Sequence, residues 1–216
     1  MEYLNEISLY VILDIPLLEK LGKNPEYIMR ETYFSGARMF QLRHKEADEG
    51  EIYRIAKRLL PIAKELGALF IINDSLSVAL ASNSDGVHLG ETDLPLAVAR
   101  KLVEKFHSGQ DFIIGASVSS LEIALRAQKQ GATYLGYGSI FETRTKDNPI
   151  PGSIEELKSI IDSVDIPTFA IGGINEQNVN QIVNAGCRKV CVASGIIARK
   201  NPGKSAQEIY DILNKS

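Results

Sequence analysis

Short runs rich in β-branched and aromatic residues alternate with longer amphipathic segments along the length of this chain, and that rhythm restricts the fold more than any other feature. The β-rich runs are residues 8–13, 39–43, 69–73, 86–89, 112–116, 134–137, 168–171 and 189–193. Between them, 49–66, 96–106, 121–130, 154–163 and 176–185 repeat apolar residues at intervals of three and four, the spacing of a helix with one buried face. Gly36, Gly67, Gly131 and Gly186 follow helical segments, where a helix end needs positive φ. Ser119 with Glu122 has the spacing of a capping box. Eight β-then-α units in 216 residues, with no linker or composition shift, predict a (β/α)8 TIM barrel forming one domain over 1–216. An open doubly wound sheet is the alternative, because periodicity does not say whether the first and last strands pair.

Composition narrows the partners. A net charge of −3 argues against a general nucleic-acid binder, which carries a basic excess, so any anion site must be local. No apolar run approaches the ~20 residues of a spanning helix, and the segment Met1 to Glu6 lacks the basic start of a secretory signal. The expectation is a soluble cytoplasmic protein without a membrane or nucleic-acid partner; oligomeric state is not encoded in any of these features. Cys187 and Cys191 have no histidine nearby to complete a zinc pattern, and Cys191 reads as core. His44, His88 and His107 are scattered, and His88 reads as a neutral, hydrogen-bonded structural residue.

In a barrel the carboxyl ends of the strands converge on one mouth, so the residues there become neighbours. Gln41, Arg43 and Lys45 alternate along and beyond the second strand, on the face opposite Phe40 and Leu42. A polar row on a strand that would otherwise be apolar on both faces points to an anion-binding mouth. The third strand ends in Asn73-Asp74, and Asp93 follows the fourth. Asp74 and Asp93 read either as caps of the following helices or as a pair holding a hard cation such as Mg²⁺, which takes one or two carboxylates plus phosphate oxygens. Ser117 leaves a hydroxyl at the end of strand five. The long loop 141–152, bounded by proline and glycine, has the character of a lid and offers Thr143, Thr145 and Lys146 to phosphate, with Arg144 in the same run. Gly172-Gly173 after strand seven and Ser194-Gly195 after strand eight occupy the recurrent phosphate cradle of such barrels. The mouth thus reads as two anion sites, one of them suited to a diphosphate leaving group.

These residues resemble the thiamine phosphate synthase (thiamine-phosphate pyrophosphorylase) family. The motifs are Gln41-Leu42-Arg43-x-Lys45, Asn73-Asp74, Asp85-Gly86-Val87-His88-Leu89-Gly90 with Asp93, Gly115-x-Ser117, Thr143-x-Thr145-Lys146, and Ala170-Ile171-Gly172-Gly173-Ile174 with Ser194. The resemblance implies a transferase that joins 4-amino-2-methyl-5-(diphosphooxymethyl)pyrimidine to 4-methyl-5-(2-phosphooxyethyl)thiazole, or its carboxylated form, and releases pyrophosphate. It also implies contacts from Gln41, Arg43, Lys45, Asn73, Ser117 and Lys146 to the pyrimidine diphosphate, with Arg43, Lys45, Ser117 and Lys146 the catalytic set, and Mg²⁺ on Asp74 and Asp93. Thr143, Thr145, Gly173, Ala193 and Ser194 are implied contacts of the thiazole phosphate, and Arg144 joins the substrate-binding group.

The chain departs from that pattern at Ser75, where arginine is usual, and at Phe141-Glu142-Thr143, a wording similar to the TenI-like thiazole tautomerases. Those enzymes characteristically carry a histidine just after the strand-five serine, where this chain has Ser119. The rival readings are therefore a tautomerase and, from another class, a non-catalytic binder of thiamine phosphate or its precursors.

Overall fold

The structure is a computed structural model and describes residues 2–107, 111–142 and 152–215. Its strands are β1 (Leu9–Asp14), β2 (Met39–Arg43), β3 (Leu69–Asn73), β4 (Gly86–Leu89), β5 (Ile113–Val118), β6 (Tyr134–Tyr137), β7 (Thr168–Ile171) and β8 (Val190–Val192). All neighbours are parallel, and β1 closes on β8 through Leu9↔Val190, Tyr10↔Cys191 and Val11↔Val192. That pairing removes the open sheet: the fold is a (β/α)8 barrel. The helices are α1 (Ile15–Lys20), α2 (Pro25–Phe34), α3 (Glu49–Leu66), α4 (Leu76–Ser82), α5 (Leu96–Phe106), α6 (Leu121–Lys129), α7 (Ile154–Ile161), α8 (Val179–Asn184), α9 (Ser194–Ile197) and α10 (Pro202–Asn214). Among the described residues no helix is long and apolar enough to cross a membrane.

The alternation of each strand divides the core in two. Leu9, Val11, Leu13, Phe40, Leu42, Phe70 and Ile72 face outward and meet the apolar faces of the helices. Tyr10, Ile12, Met39, Ile71, Ile113, Tyr134, Phe169 and Cys191 pack together inside the barrel, with Leu4 and Ile7 among them. Each fully buried aliphatic or aromatic side chain contributes about 1.5–3 kcal/mol, so both layers hold the strand ends in register.

Several local expectations are met. Gly36, Gly67, Gly131 and Gly186 have φ of 103°, 70°, 94° and 91°. Others need correction. β5 runs two residues past its expected end, so the cap of α6 is Ser120, whose Oγ accepts from Ile123 N at 3.3 Å, and not Ser119. The last of the five expected helices starts three residues late. Asn175 Oδ1 accepts from Gln177 N and Asn178 Oδ1 accepts from Asn175 N, both at 2.9 Å, and this local turn competes with helix until Val179.

Candidate active site at the carboxyl mouth

A cavity of about 370 Å³ opens at the carboxyl ends of the strands. Gln41, Arg43, Lys45, Asn73, Asp74, Asp93, Ser117, Gly173, Ala193 and Ser194 all line it. Ten of the positions singled out in the sequence are therefore brought to one concave surface. Thr143, Arg144, Thr145 and Lys146 lie outside the described residues. The floor is aromatic: Tyr10, Tyr134 and Phe169 meet edge to face, with ring centroids 5.6–5.9 Å apart. Gly115 makes room for this packing, because a Cβ there would lie 2.1 Å from Tyr134 Cζ.

The basic row is oriented by acids. Arg43 is paired with Asp14, which stands opposite it in the β1–β2 register. Asp14 also caps α1, accepting from Leu17 N at 3.1 Å. The side chains are 17% and 7% exposed, so the pair is largely withdrawn from water and held more firmly than a surface pair. Lys45 Nζ is 3.7 Å from Asp74 Oδ2, and its side chain is 57% exposed.

Neither aspartate of the proposed cation pair caps a helix through its side chain. The cap of α4 is Ser75, whose Oγ accepts from Val78 N at 3.2 Å, and α5 begins after Pro95 with no side-chain cap. Asp93 Oδ2 instead accepts from Gly90 N at 2.7 Å. Asp74 has φ of 65° and donates its backbone N–H to His88 O at 2.8 Å. A left-handed non-glycine residue is uncommon, Asp being among the more tolerant, and such conformations concentrate at functional sites. Burial pushes the Asp74 carboxyl up to about 6, helped by the neighbouring Asp93, while Lys45 and Arg43 oppose the rise. An acid held against its own charge is one that a cation would relieve.

Among the described residues no group of three or more His, Cys, Asp or Glu side chains could hold a metal alone. Two facing carboxylates fit Mg²⁺ in the way that ion is usually held, with phosphate oxygens and water completing the shell. The donor set therefore suits a metal that arrives with a phosphorylated ligand better than a permanently caged one.

On the opposite side of the mouth, β7 runs into Gly172 and Gly173, with φ of 100° and 63°. A Cβ on Gly172 would lie 2.0 Å from Ser139 Oγ, and one on Gly173 would lie 2.4 Å from Glu142 O, so glycine is required at both. The Gly173 carbonyl accepts from Asn175 Nδ2 at 3.2 Å and Asn178 Nδ2 at 2.9 Å, which fixes the turn beside Ala193 and Ser194.

Sequence reasoning missed several contributors to this surface, Asp14, Tyr10, Tyr134 and His88 among them. Asp14 fell one residue past the expected end of the first strand, although an acid before Ile15-Pro16 is a helix-start signal. Tyr10 and Tyr134 were not singled out, because an aromatic on a strand fits the hydrophobic pattern. His88 is hydrogen-bonded, as expected, but it also lines the cavity, with Nδ1 2.9 Å from Tyr134 Oη and Nε2 3.0 Å from Ser117 Oγ.

Closure of the barrel and the convergence of cationic, acidic and glycine-turn residues on its carboxyl mouth define a (β/α)8-barrel enzyme architecture with its pocket in the customary place. Residues 9–196 match the family model described as thiamine monophosphate synthase. The chain is 40% identical over 215 residues to the thiamine-phosphate synthase of Pyrococcus abyssi, covering 100% of this chain and 99% of the relative. It is also 40% identical over 213 residues to that of Clostridium acetobutylicum, covering 98% and 97%. The solved structure of thiamine phosphate pyrophosphorylase from Pyrococcus furiosus superposes with a TM-score of 0.83 at 38% identity, covering 98% of this chain and 97% of that one. The chain belongs to the thiamine monophosphate synthase family.

Proposed function

We propose that this protein is a single-domain thiamine phosphate synthase acting on 4-amino-2-methyl-5-(diphosphooxymethyl)pyrimidine and 4-methyl-5-(2-phosphooxyethyl)thiazole or its carboxylated form. The observation that carries the reading is the placement of Arg43 and Lys45 beside Asp74 and Asp93 in the same cavity as Gly173, Ala193 and Ser194. That surface suits two phosphorylated ligands held side by side, which lowers the entropic barrier to joining them.

In this reading Arg43 and Lys45, with Asn73 and Ser117, bind the diphosphate and stabilise its departure with the C–O electron pair. Asp74 and Asp93 would hold Mg²⁺, which would supply positive charge to the departing diphosphate. The pyrimidine methylene becomes cationic above the aromatic floor, and the thiazole nitrogen donates its lone pair to form the new C–N bond; a carboxylated thiazole also loses its carboxylate as CO₂. Gly173, Ala193 and Ser194 hold the thiazole phosphate so that its nitrogen faces that carbon. Thr143, Arg144, Thr145 and Lys146 complete the phosphate contacts. No covalent nucleophile is needed.

The test is to incubate the pure protein with both substrates and Mg²⁺ and to follow thiamine phosphate and pyrophosphate together. Equimolar appearance of the two is expected. Isomerisation of the thiazole carboxylate phosphate without pyrimidine substrate, or calorimetric binding with no turnover, would replace the synthase reading with the tautomerase or the non-catalytic binder.

A further inference from the structure

We infer that the buried hydrogen-bond chain from Gln41 through Tyr10, Tyr134 and His88 to Ser117 runs in one direction, fixes His88 as the neutral tautomer protonated on Nε2, and makes the Ser117 hydroxyl a dedicated donor toward the cavity. His88 and Tyr134 are then positioning residues for Ser117. The identity of the acceptor as a diphosphate oxygen rests on the proposed function; the proton arrangement rests on geometry alone.

The chain crosses the barrel from β2 to β5. Gln41 Nε2 is 2.7 Å from Tyr10 Oη, Tyr10 Oη is 3.0 Å from Tyr134 Oη, Tyr134 Oη is 2.9 Å from His88 Nδ1, and His88 Nε2 is 3.0 Å from Ser117 Oγ. Four of these five groups can donate or accept, so taken pairwise the direction is open. One end is not open. In the orientation the structure gives the Gln41 amide, its nitrogen faces Tyr10, and a nitrogen with protons and no acceptor capacity makes the Tyr10 oxygen the acceptor.

Burial raises both tyrosine hydroxyls well above their ordinary range, and each keeps its single proton. Among the described residues the hydrogen-bond partners of the Tyr10 hydroxyl are Gln41 and Tyr134, and only the Tyr134 oxygen can receive its proton. Reversing the order would leave that proton without an acceptor among the described residues, beside the Tyr134 and Phe169 edges, a costly state for a buried donor. Tyr134 therefore gives its own proton to His88 Nδ1. A neutral imidazole that accepts at Nδ1 carries its proton on Nε2, which donates to Ser117 Oγ. The Ser117 proton is left for an acceptor in the cavity that Ser117 lines.

A lone serine can turn either a proton or a lone pair to a ligand. This chain removes the choice and selects an acceptor atom at that point of the site. Gly136 is part of the arrangement, since a Cβ there would lie 3.3 Å from His88 Cε1 and press on the ring.

The direct test is ¹⁵N NMR of the full chain labelled at histidine. The chain has three histidines, and His88 is assigned by the signals lost in His88→Gln. The expected result is the two-bond nitrogen–proton pattern of the Nε2–H tautomer; an Nδ1–H pattern, or an averaged mixture, overturns the inference. In Tyr134→Phe the donor to Nδ1 is gone, so a mixture of tautomers is expected, with kcat lowered roughly 10-fold and the KM for the thiazole phosphate changed less than about 2-fold. A folded Tyr134→Phe protein with an unchanged tautomer also overturns it, and if that variant does not fold the wild-type spectrum decides. Wild-type protein with the Nε2–H pattern but no pyrophosphate release would keep this inference and remove the synthase reading. Pyrophosphate release with the Nδ1–H pattern would do the reverse.

Discussion

Arg43 and Asp14 are paired across the β1–β2 register at the mouth of the barrel, and both are largely buried. Under the proposed function Arg43 binds a diphosphate, and such a cation must be held in place before the ligand arrives without being neutralised beyond use. Asp14 does this from a strand end, where it also accepts the Leu17 N–H in the first turn of α1. The acid that orients the arginine is thereby fixed by the helix it caps.

Asp14→Asn separates the two jobs. Asparagine remains a good helix cap, so the N–H of Leu17 keeps its acceptor while Arg43 loses its counter-charge. A stability loss of about 2 kcal/mol is expected for a charged hydrogen bond in a mostly buried setting. It is read as a shift of the urea midpoint with unchanged slope. Asp14→Ala should cost about 1 kcal/mol more, because the cap is lost as well.

Asp74 is expected to trade stability for function. Its carboxyl sits at about 6, above the ordinary 3.8, so the folded chain binds that proton more tightly than the unfolded chain. The charged form therefore costs stability at pH above 6, and the cost disappears as pH falls from 6 to below 4. Asp74→Asn should raise the melting temperature at pH 8, leave it nearly unchanged at pH 4, and abolish Mg²⁺-dependent pyrophosphate release. Calorimetric scans at both pH values and an activity assay check the three outcomes. Equal melting temperatures at pH 8 would remove the electrostatic argument.

The residues that broke a local rule were the ones legible in the sequence. Gln41, Arg43 and Lys45 put polar groups where a parallel strand should be apolar, and Gly172-Gly173 put freedom where a strand should end, so both stood out before the barrel closed. Tyr10, Tyr134 and His88 broke no such rule. A tyrosine inside a barrel satisfies the hydrophobic pattern, and only the three-dimensional register shows its hydroxyl meeting another from a strand 124 residues away. Helix ends slipped for a related reason: Ser119 and Ser120 are both competent caps, and the choice was made by how far β5 continued.

Gly173→Ala tests the phosphate cradle. At φ of 63° alanine is strained, and its Cβ would press on the Glu142 carbonyl at 2.4 Å, so the turn must open. A loss of at least about 1 kcal/mol in stability is expected. The KM for the thiazole phosphate should rise about 10-fold or more while that for the pyrimidine diphosphate changes little. Steady-state kinetics with each substrate varied in turn distinguishes this from a general loosening, which would raise both.

Arg43→Ala is expected to weaken binding of the pyrimidine diphosphate by about 2–5 kcal/mol, the usual loss when one partner of a desolvated charge pair is truncated. Two effects contribute. The ligand loses a cation, and Asp14 is left as a mostly buried acid without its partner, so the local potential changes sign toward the incoming diphosphate. The double variant Arg43→Ala with Asp14→Asn removes that stranded charge. It should recover part of the affinity, and the recovered part measures how much of the single-variant loss came from the unpaired acid and how much from the missing guanidinium. Competition by inorganic pyrophosphate in the presence of Mg²⁺ reads the same change without turnover. An Arg43→Ala protein with wild-type kinetics and wild-type pyrophosphate affinity would place the diphosphate elsewhere in the cavity.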